Sequence, residues 1–450
     1  MTLSEQASGG IDPAPILAWT ECSLDDRVVP AVTHGRGDGG FGRLLFMADS
    51  LATLADLVRR PSVNPMGRDV SGPEYLEGRI TDYLVQRFSA ANLPWARQPV
   101  APGRDNVLAR LEATIPEAPT VLWDAHQDTV PVEGMTIDPF LPLVRDGRLQ
   151  GRGACDVKGG MAAMLVGLER LLGSSRPRPV TVLFTATVNE EFGFSGARAI
   201  TSLWSSAGGV SPGDGPARDL VGAARPVAGI VAEPTSLDVV GMHKGAVRWR
   251  IRVGGRACHS STPERGDNAI YPAARAALAI ETLASELLTR APDHPCGPPT
   301  LSLGTIRGGF GVNLVPDMVI LELDRRLVPG EHPRAARDEV IRRVAEACPG
   351  AAIEHEEPFV EHHGLSSGGA ETMLAGKALA DRLGEAVRGQ GRRSVVRAAR
   401  YGTNASVYAA AGVPTVVFGP GSIDQAHTCD EWIDVAEVEI AAAALVAAMA

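Results

Sequence analysis

Histidines and acidic residues recur along this chain where apolar runs end. The first pair is His126 and Asp128, which follow the apolar residues 120–123. Because side chains alternate along a strand, a His-x-Asp at a strand end points both groups into one pocket. The carboxylate can then hold the imidazole in the tautomer that a metal ion needs. Such pairs also occur by chance, so this pair alone does not establish a site.

A third polar group, Asp156, lies in the glycine-rich run GRGACDVKGG. Glycine on both sides allows the backbone to approach a bound group closely. An ordinary turn aspartate with flanking glycines is the structural alternative, and for this run by itself it is the better explanation. Asp156 therefore indicates a functional site only in combination with the other acidic residues of the chain.

Two adjacent acids, Glu190 and Glu191, follow the apolar run LFTATV. Strand geometry sends neighbouring side chains in opposite directions. One carboxylate can then ligate a metal ion while the other stands over a substrate as general base. A solvated loop is the alternative, but the buried-looking strand before the pair and the FGFSG turn after it favour a functional role.

Two further residues share this placement. Glu233 follows a strand in VAEPT, and His427 follows a strand and a Gly-Pro-Gly turn in FGPGSIDQAH. In an open parallel sheet, ligands collect at the carboxyl ends of the strands, so all these residues are expected to converge there. Two imidazoles and three carboxylates suit two divalent ions of the zinc type, with Asp156 as the bridge.

The elements that must position these residues follow two patterns. Apolar strands alternate with helices through the first half of the chain and again near its end, which predicts an α/β fold with a mixed, mostly parallel sheet and helices on both faces. Between them the order is β-α-β-β-α-β, that of a ferredoxin-like α+β unit. We predict a catalytic domain of residues 47–240 and 360–450, an inserted domain of residues 241–359, and a poorly ordered extension over residues 1–46.

Composition restricts the classes of function. The chain has 450 residues, too many for one ordinary core, and its net charge of -10 disfavours a nucleic-acid partner. Its apolar runs are too short to span a membrane, and no signal-peptide pattern is seen at the N-terminus. None of the six cysteines forms a C-x-x-C pair. Reduced thiols in a cytoplasmic protein are therefore expected.

In combination, the motifs resemble those of one enzyme family. The motifs are DAHQDTVP, GRGACDVKGG, NEEFG, VAEPTS, GPGSIDQAH and the His-Ser-Ser segment of residues 259–270. They resemble the co-catalytic zinc deacylases and exopeptidases, the family of acetylornithine deacetylase, succinyl-diaminopimelate desuccinylase, aminoacylase and carboxypeptidase G. The resemblance covers about residues 47–450, and it implies a zinc-exopeptidase-like catalytic domain.

The resemblance implies two divalent metal ions, with zinc the expected metal and cobalt the alternative. His126 and Glu233 then share one ion, Glu191 and His427 share the other, and Asp156 bridges the two.

Two other residues near the ions also match the family's motifs. By resemblance, Glu190 is the general base and Asp128 orients His126. The peptide bond after the bridging aspartate is often cis in this family, so a cis Asp156–Val157 bond is expected.

The inserted domain resembles the family's lid and dimerisation domain, which implies a homodimer. His259 resembles the histidine that reaches the scissile carbonyl in the partner's site. Asn313 and Arg326 resemble residues that bind the substrate's carboxylate, for which a planar guanidinium is well suited. The neighbouring Arg325 is the alternative for the arginine that faces the site.

The motifs are closest to those of acetylornithine deacetylases, which implies hydrolysis of a small-molecule N-acyl amino acid. Glu233 favours deacylation, because the aminopeptidase-like members usually carry Asp there. Asn404 departs from the Asp of many relatives and leaves the substrate's side chain open. The rivals are a succinyl-diaminopimelate desuccinylase, a dipeptidase or carboxypeptidase on the same site, and a metal-free binding protein on this scaffold.

Overall fold

The structure is a computed structural model that describes residues 49–204, 215–222, 225–366 and 370–450. The extension predicted over residues 1–46 lies outside these ranges. Within them, no helix has both the length and the apolar character needed to cross a membrane.

The helices and strands follow one another along the whole described chain. The helices are α1 (Ser50–Val58), α2 (Gly78–Ala90), α3 (Gly159–Gly173), α4 (Ser195–Ser202), α5 (Gly215–Val221), α6 (Ile270–Leu288), α7 (Pro333–Ala347), α8 (Ala370–Gly389), α9 (Ala405–Ala410) and α10 (Val435–Met449), with a π-helical turn at Ala154–Lys158 and a 3-10 turn at Pro263–Arg265. The strands are β1 (Trp95–Ala101), β2 (Arg104–Leu111), β3 (Thr120–His126), β4 (Leu143–Arg145), β5 (Arg148–Gln150), β6 (Thr181–Thr187), β7 (Ala228–Val231), β8 (Val239–His243), β9 (Gly245–Gly254), β10 (Cys258–His259), β11 (Thr300–Gly308), β12 (Leu314–Val315), β13 (Met318–Leu327), β14 (Ala352–His355), β15 (Val360–His362), β16 (Val396–Ala399), β17 (Thr415–Phe418) and β18 (Trp432–Asp434).

An eight-stranded sheet forms the centre of the larger unit, in the order β1-β2-β6-β3-β7-β17-β8-β16. The four adjacent strands β6, β3, β7 and β17 are parallel to one another, whereas β1, β2 and the β17–β8 pair add antiparallel contacts. The predicted fold class, a mixed and mostly parallel sheet with helices, is therefore confirmed. The parallel strands all end at one edge, where their following turns meet.

Strand β3 is buried along its entire length, as a central parallel strand should be. Its period of two sends Val121, Trp123 and Ala125 into the core beneath α1, α2, α3, α8 and α10. Leu122 faces the opposite core, beneath α4, α5 and α9. His126 ends the strand on the same side as Leu122.

Two glycines bring helix α3 close to the edge of the sheet. A Cβ atom on Gly159 would overlap the Ile433 side chain, and one on Gly160 would lie 2.8 Å from Ala232. Neither position has room for a side chain, so the glycines of the DVKGG motif let the helix begin against the strand ends.

A second sheet, of β11-β13-β9-β14 with β15 also paired to β9, belongs to the smaller unit. One face of β9 (Val247, Trp249, Ile251, Val253) packs with α6 and α7 into a core of its own. The other face carries Arg248, Arg250 and Arg252, which are partly exposed. We call this sheet with its two helices the lid.

Strand pairing locates where the chain passes between the two units. β8 belongs to the large sheet through residue His243, and β9 begins the lid sheet at Gly245. On the return, β15 still pairs with β9 through His362. Both crossings lie a few residues later than the predicted positions 241 and 359.

Candidate metal centre

His126 ends β3, and its side chain is almost fully buried. Its Nδ1 lies 2.8 Å from the backbone carbonyl of Asp128, so this nitrogen carries the proton that it donates there. Its Nε2 lies 3.1 Å from Oδ1 of Asp156, to which it donates when the ring is protonated. With Nδ1 held as the donor to the carbonyl, Nε2 is the nitrogen on which a metal ion would replace that proton.

Asp128 does not orient His126 in the predicted way. Its carboxylate is 3.7 Å from His126 Nδ1, beyond hydrogen-bond distance, so the orienting contact comes from its backbone carbonyl instead. The carboxylate accepts hydrogen bonds from the backbone N–H groups of Glu190 (3.0 Å) and Glu191 (3.1 Å) and from the amide of Asn64 (2.7 Å). Asp128 therefore fixes the turn that carries both glutamates.

The same turn is held from its other side by Asn189, a residue with a positive φ of 61°. Its amide oxygen accepts hydrogen bonds from Asn64 (3.0 Å) and Arg104 (2.9 Å). Its backbone N–H donates to the fully buried Glu77, which also pairs with Arg104. These contacts hold the Glu190–Glu191 backbone in one conformation.

Asp156 lies in the π-helical turn before α3, and the Asp156–Val157 peptide is cis, as the family resemblance implied. The fully buried Glu431 anchors this turn. Its two carboxylate oxygens accept hydrogen bonds from the backbone N–H groups of Gly153 (3.0 Å), Cys155 (2.8 Å) and Asp156 (3.0 Å). The Arg152 guanidinium, at 2.7 Å, offsets the charge of Glu431.

The predicted ligands converge at the ends of the parallel strands. Nε2 of His427 lies 3.2 Å from Oδ2 of Asp156 and 3.5 Å from Oε2 of Glu191. Donor atoms of His126, Glu190 and Glu233 lie within 4.8 Å of one another, and so do those of His126, Asp156 and Glu191. Asp156 thus faces a histidine with each of its oxygens, as a bridging carboxylate must.

Burial and contacts between charged groups together shift the pKa values of this cluster. Burial raises the pKa of Glu190 and of Glu233 well above their usual range, and nearby carboxylates raise both further. Burial would also raise the pKa of Asp156, but the hydrogen bonds from His126 and His427 outweigh it and lower that pKa. Burial by itself would lower the pKa of His427, but its contacts with Asp156 and Glu191 raise that pKa to about 11.

The donor set fits divalent cations. The oxygens and imidazole nitrogens are the ligands that zinc and cobalt accept. Oε1 of Glu191 is buried and has no hydrogen-bond partner among the described residues, although a buried polar atom ordinarily has one. A divalent cation held by these residues would supply the missing partner and offset the repulsion between the carboxylates.

A cleft of about 120 Å³ lies over the acids and is closed on its other side by the lid. Arg326 of β13 lines this cleft together with Asp156, Glu190 and Glu233. The alternative, Arg325, faces the other way: it is almost fully buried and pairs with Glu331 at 2.5 Å. Of the two arginines, Arg326 is therefore the one that lines the cleft.

His259 and Asn313 do not line this cleft. His259 ends β10 and Asn313 immediately precedes β12, and the backbone N–H of Ser260 donates to the carbonyl of Asn313 at 3.1 Å. Both are exposed, and the ring of His259 contacts only Ser261, at 2.7 Å, among the hydrogen-bonded neighbours in the described ranges. Within one chain, these two predicted residues stay apart from the metal-binding acids.

Comparison with known proteins gives the family. Residues 122–450 match the model of peptidase family M20/M25/M40, which is more than half of the chain. The chain belongs to this family.

Two similar proteins are named for different activities. Acetylornithine deacetylase of Proteus mirabilis is 33% identical over 350 residues, covering 76% of this chain and 81% of that protein. A probable carboxypeptidase of Emericella nidulans is 30% identical over 407 residues, covering 86% of each. The resemblance found in the motifs is confirmed, and the chain is a metallohydrolase of the M20 family.

A solved structure agrees on the fold. A dinuclear metal-binding peptidase of the M20 family from Bacillus subtilis superposes with a TM-score of 0.60 at 15% identity, covering 90% of this chain and 98% of that one. At this identity the similarity concerns the fold alone.

Asn404, which the sequence leaves open as a possible determinant of specificity, is buried and does not line the cleft. Its amide donates to Asp124 and to Thr187, both at 3.0 Å. Asp124 is fully buried, burial raises its pKa, and Thr185 donates to it at 2.7 Å. Because a carboxylate already occupies position 124, an amide is the complementary group at position 404.

Sequence reasoning missed three residues of this M20 site: Asn64, Glu77 and Glu431. All three bind backbone N–H groups or other polar side chains, and none ends a parallel strand. Glu431 follows the His427 motif in the run HTCDEW, so its proximity in the sequence was the only available signal.

Proposed function

We propose that this M20 enzyme hydrolyses the amide bond of an N-acyl amino acid and acts as an acetylornithine deacetylase. The observation that carries the proposal is the arrangement of the cleft, with Glu190 and the metal-binding acids on one wall and Arg326 on the other. This arrangement suits a substrate with an amide and a carboxylate. The similarity to the Proteus mirabilis deacetylase supports the acyl amino acid as substrate.

Two divalent ions would be held by the residues described above, His126 and Glu233 for one, Glu191 and His427 for the other, and Asp156 for both. Zinc is the proposed metal and cobalt the alternative, since both accept nitrogen and oxygen ligands. When bound, such ions lower the pKa of water and polarise the acyl carbonyl.

Glu190 is the proposed general base. It takes a proton from the attacking water and passes it to the leaving amine. Its backbone is held by Asp128, and burial gives its carboxyl a raised pKa, which suits a group that both accepts and returns a proton.

Arg326 is proposed to bind the substrate's carboxylate. Its Nε and Nη2 contact Asp324, and the rest of its guanidinium lines the cleft, where it can donate to a second carboxylate. Asn313 lies away from the cleft of its own chain. It is therefore proposed to help bind the substrate's carboxylate in a site that includes a second subunit.

A homodimer through the lid is proposed as the active form. Strand β11 is an edge strand of the lid sheet, and large apolar side chains are exposed near it: Tyr271 (66%), Ile306 (55%), Phe310 (91%) and Val312 (102%). An exposed edge with apolar neighbours is a surface that another chain can cover. His259 would then reach the scissile carbonyl in the partner's site and stabilise the oxyanion.

The proposed location is the cytoplasm. Cys155, Cys258, Cys296, Cys348 and Cys429 are all free thiols, which a reducing compartment maintains.

The rival within the family is a peptidase, and similarity to the probable carboxypeptidase of Emericella nidulans favours it specifically. A rate panel separates the two, with N-acetylornithine, N-succinyl-diaminopimelate and a set of dipeptides offered to the metal-loaded enzyme. We expect the largest kcat/KM for N-acetylornithine. A dipeptide hydrolysed faster than every acyl amino acid would replace the deacylase with the peptidase.

The proposed role of Glu190 as general base is tested by comparing a Glu190 variant with a Glu191 variant. We expect Glu190→Gln to keep both metal ions and to lose activity by roughly 10²–10⁴-fold, because general acid–base catalysis contributes about that much. Glu191→Gln, the matched control, should lose metal. Metal content and kcat are measured together on both variants. Loss of a metal ion from the Glu190 variant, or near-full activity in it, would show that Glu190 is not the base.

The shared site is tested by complementation. His259→Ala and Arg326→Ala should each be inactive alone, whereas co-expression should restore about a quarter of the wild-type activity. Half of randomly paired dimers are mixed, and each mixed dimer regains one intact site of its two. Activity of the purified mixture is compared with each variant alone. A mixture as inactive as its components would mean that His259 serves its own chain.

A further inference from the structure

The surface of the lid sheet that faces away from α6 and α7 carries a row of ion pairs, and one end of this row lies at the cleft. Arg248, Arg250 and Arg252 lie at every second position of β9, opposite the face that packs on α6 and α7. Arg250 pairs with Glu322 at 2.7 Å, and Arg252 pairs with Glu356. Each of these two cations therefore has an acid of its own.

The end of the row nearest the metal-binding acids differs. Here two cations share one acid: Nε of Arg248 lies 2.9 Å from Oδ2 of Asp324, and Nε of Arg326 lies 2.8 Å from Oδ1 of the same carboxylate. One positive charge is left over at this end, whereas the pairs further along are neutral.

The excess charge lies at the cleft. Arg248 and Arg326 both line it, opposite Glu190 and Glu233, and each keeps about a quarter of its side chain exposed (27%). Of the five N–H donors of the Arg248 guanidinium, only the one on Nε has a hydrogen-bond partner within the described ranges. Both of its Nη groups remain available to a bound molecule.

We propose that Arg248 is a specificity-determining residue of this enzyme. Together with Arg326 it binds the free carboxylate of the substrate's amino-acid part, and it thereby restricts hydrolysis to amides that carry one such carboxylate. Asp324 spaces the two guanidinium groups and neutralises one of them, so that a single substrate carboxylate balances the remaining charge. This inference rests on the proposed amide hydrolysis and names the group that the substrate must present.

The test compares substrates that differ only in that charge. The best acyl amino acid of the rate panel is paired with its α-carboxamide, and kcat/KM is measured for both with the metal-loaded wild type and two variants. Arg248→Gln removes the proposed contact. Arg250→Gln is the matched control, because Arg250 lies on the same strand and face with the same kind of ion pair but outside the cleft.

In the wild type we expect the carboxylate substrate to be preferred. Arg248→Gln should reduce this preference roughly ten- to a hundredfold, mainly through KM, as the loss of a charge-assisted hydrogen bond implies. Hydrolysis of the carboxamide should not change, which also shows that the variant is folded. Arg250→Gln should keep the wild-type preference, and Arg248→Lys should restore part of it.

Two results would overturn the inference. Arg248→Gln with an unchanged preference, or with both substrates slowed equally, would make Arg248 a structural partner of Asp324 only. A wild-type enzyme that hydrolyses the carboxylate and the carboxamide equally well would also overturn the inference about Arg248. That result would leave the proposed deacylase activity standing. If only dipeptides are hydrolysed, the deacylase proposal fails, and the comparison is made on a dipeptide and its C-terminal amide, where the same outcomes decide.

Discussion

Crowding of buried carboxylates at the carboxyl edge of the large sheet is the constraint on which the structure depends. The side chains of Asp156, Glu190, Glu191 and Glu233 lie close together and are almost fully buried at the base of the cleft. Ionised carboxylates in such a place are costly unless cations compensate them. The two histidines offset part of that charge, and two divalent ions would offset the rest. The cluster is therefore primarily a cation-binding site, and the proposed catalysis depends on the cations it would bind.

Holding the acids together requires backbone anchors that are themselves acids. Asp128 accepts hydrogen bonds from the N–H groups of Glu190 and Glu191, and Glu431 accepts those from the backbone around Asp156. Each anchor fixes main chain, so the ligand side chains project from a rigid turn. The lid adds arginines on the far wall of the cleft, opposite the acids. In the proposed function, these arginines would hold the substrate's carboxylate away from the metal-binding end, so that the substrate binds in one orientation.

Strand ends explain what could be predicted from the sequence. His126, Glu191 and Glu233 follow apolar strands of the parallel sheet, so their convergence followed from fold class alone. The order of strands and helices in the inserted segment likewise predicted the lid. Glu431 and Asn64 were missed because a side chain that binds a turn has no periodic signature. The choice between Arg325 and Arg326 needed the register of β13, which the sequence does not specify.

Metal stoichiometry tests the central claim most directly. Purified protein is saturated with zinc, dialysed, and compared with an Asp156→Asn variant by elemental analysis. The account predicts about two ions per chain in the wild type and at most one in the variant, because a bridging carboxylate serves both ions. One ion or fewer in the wild type, or two ions retained by the variant, would contradict a centre built around Asp156.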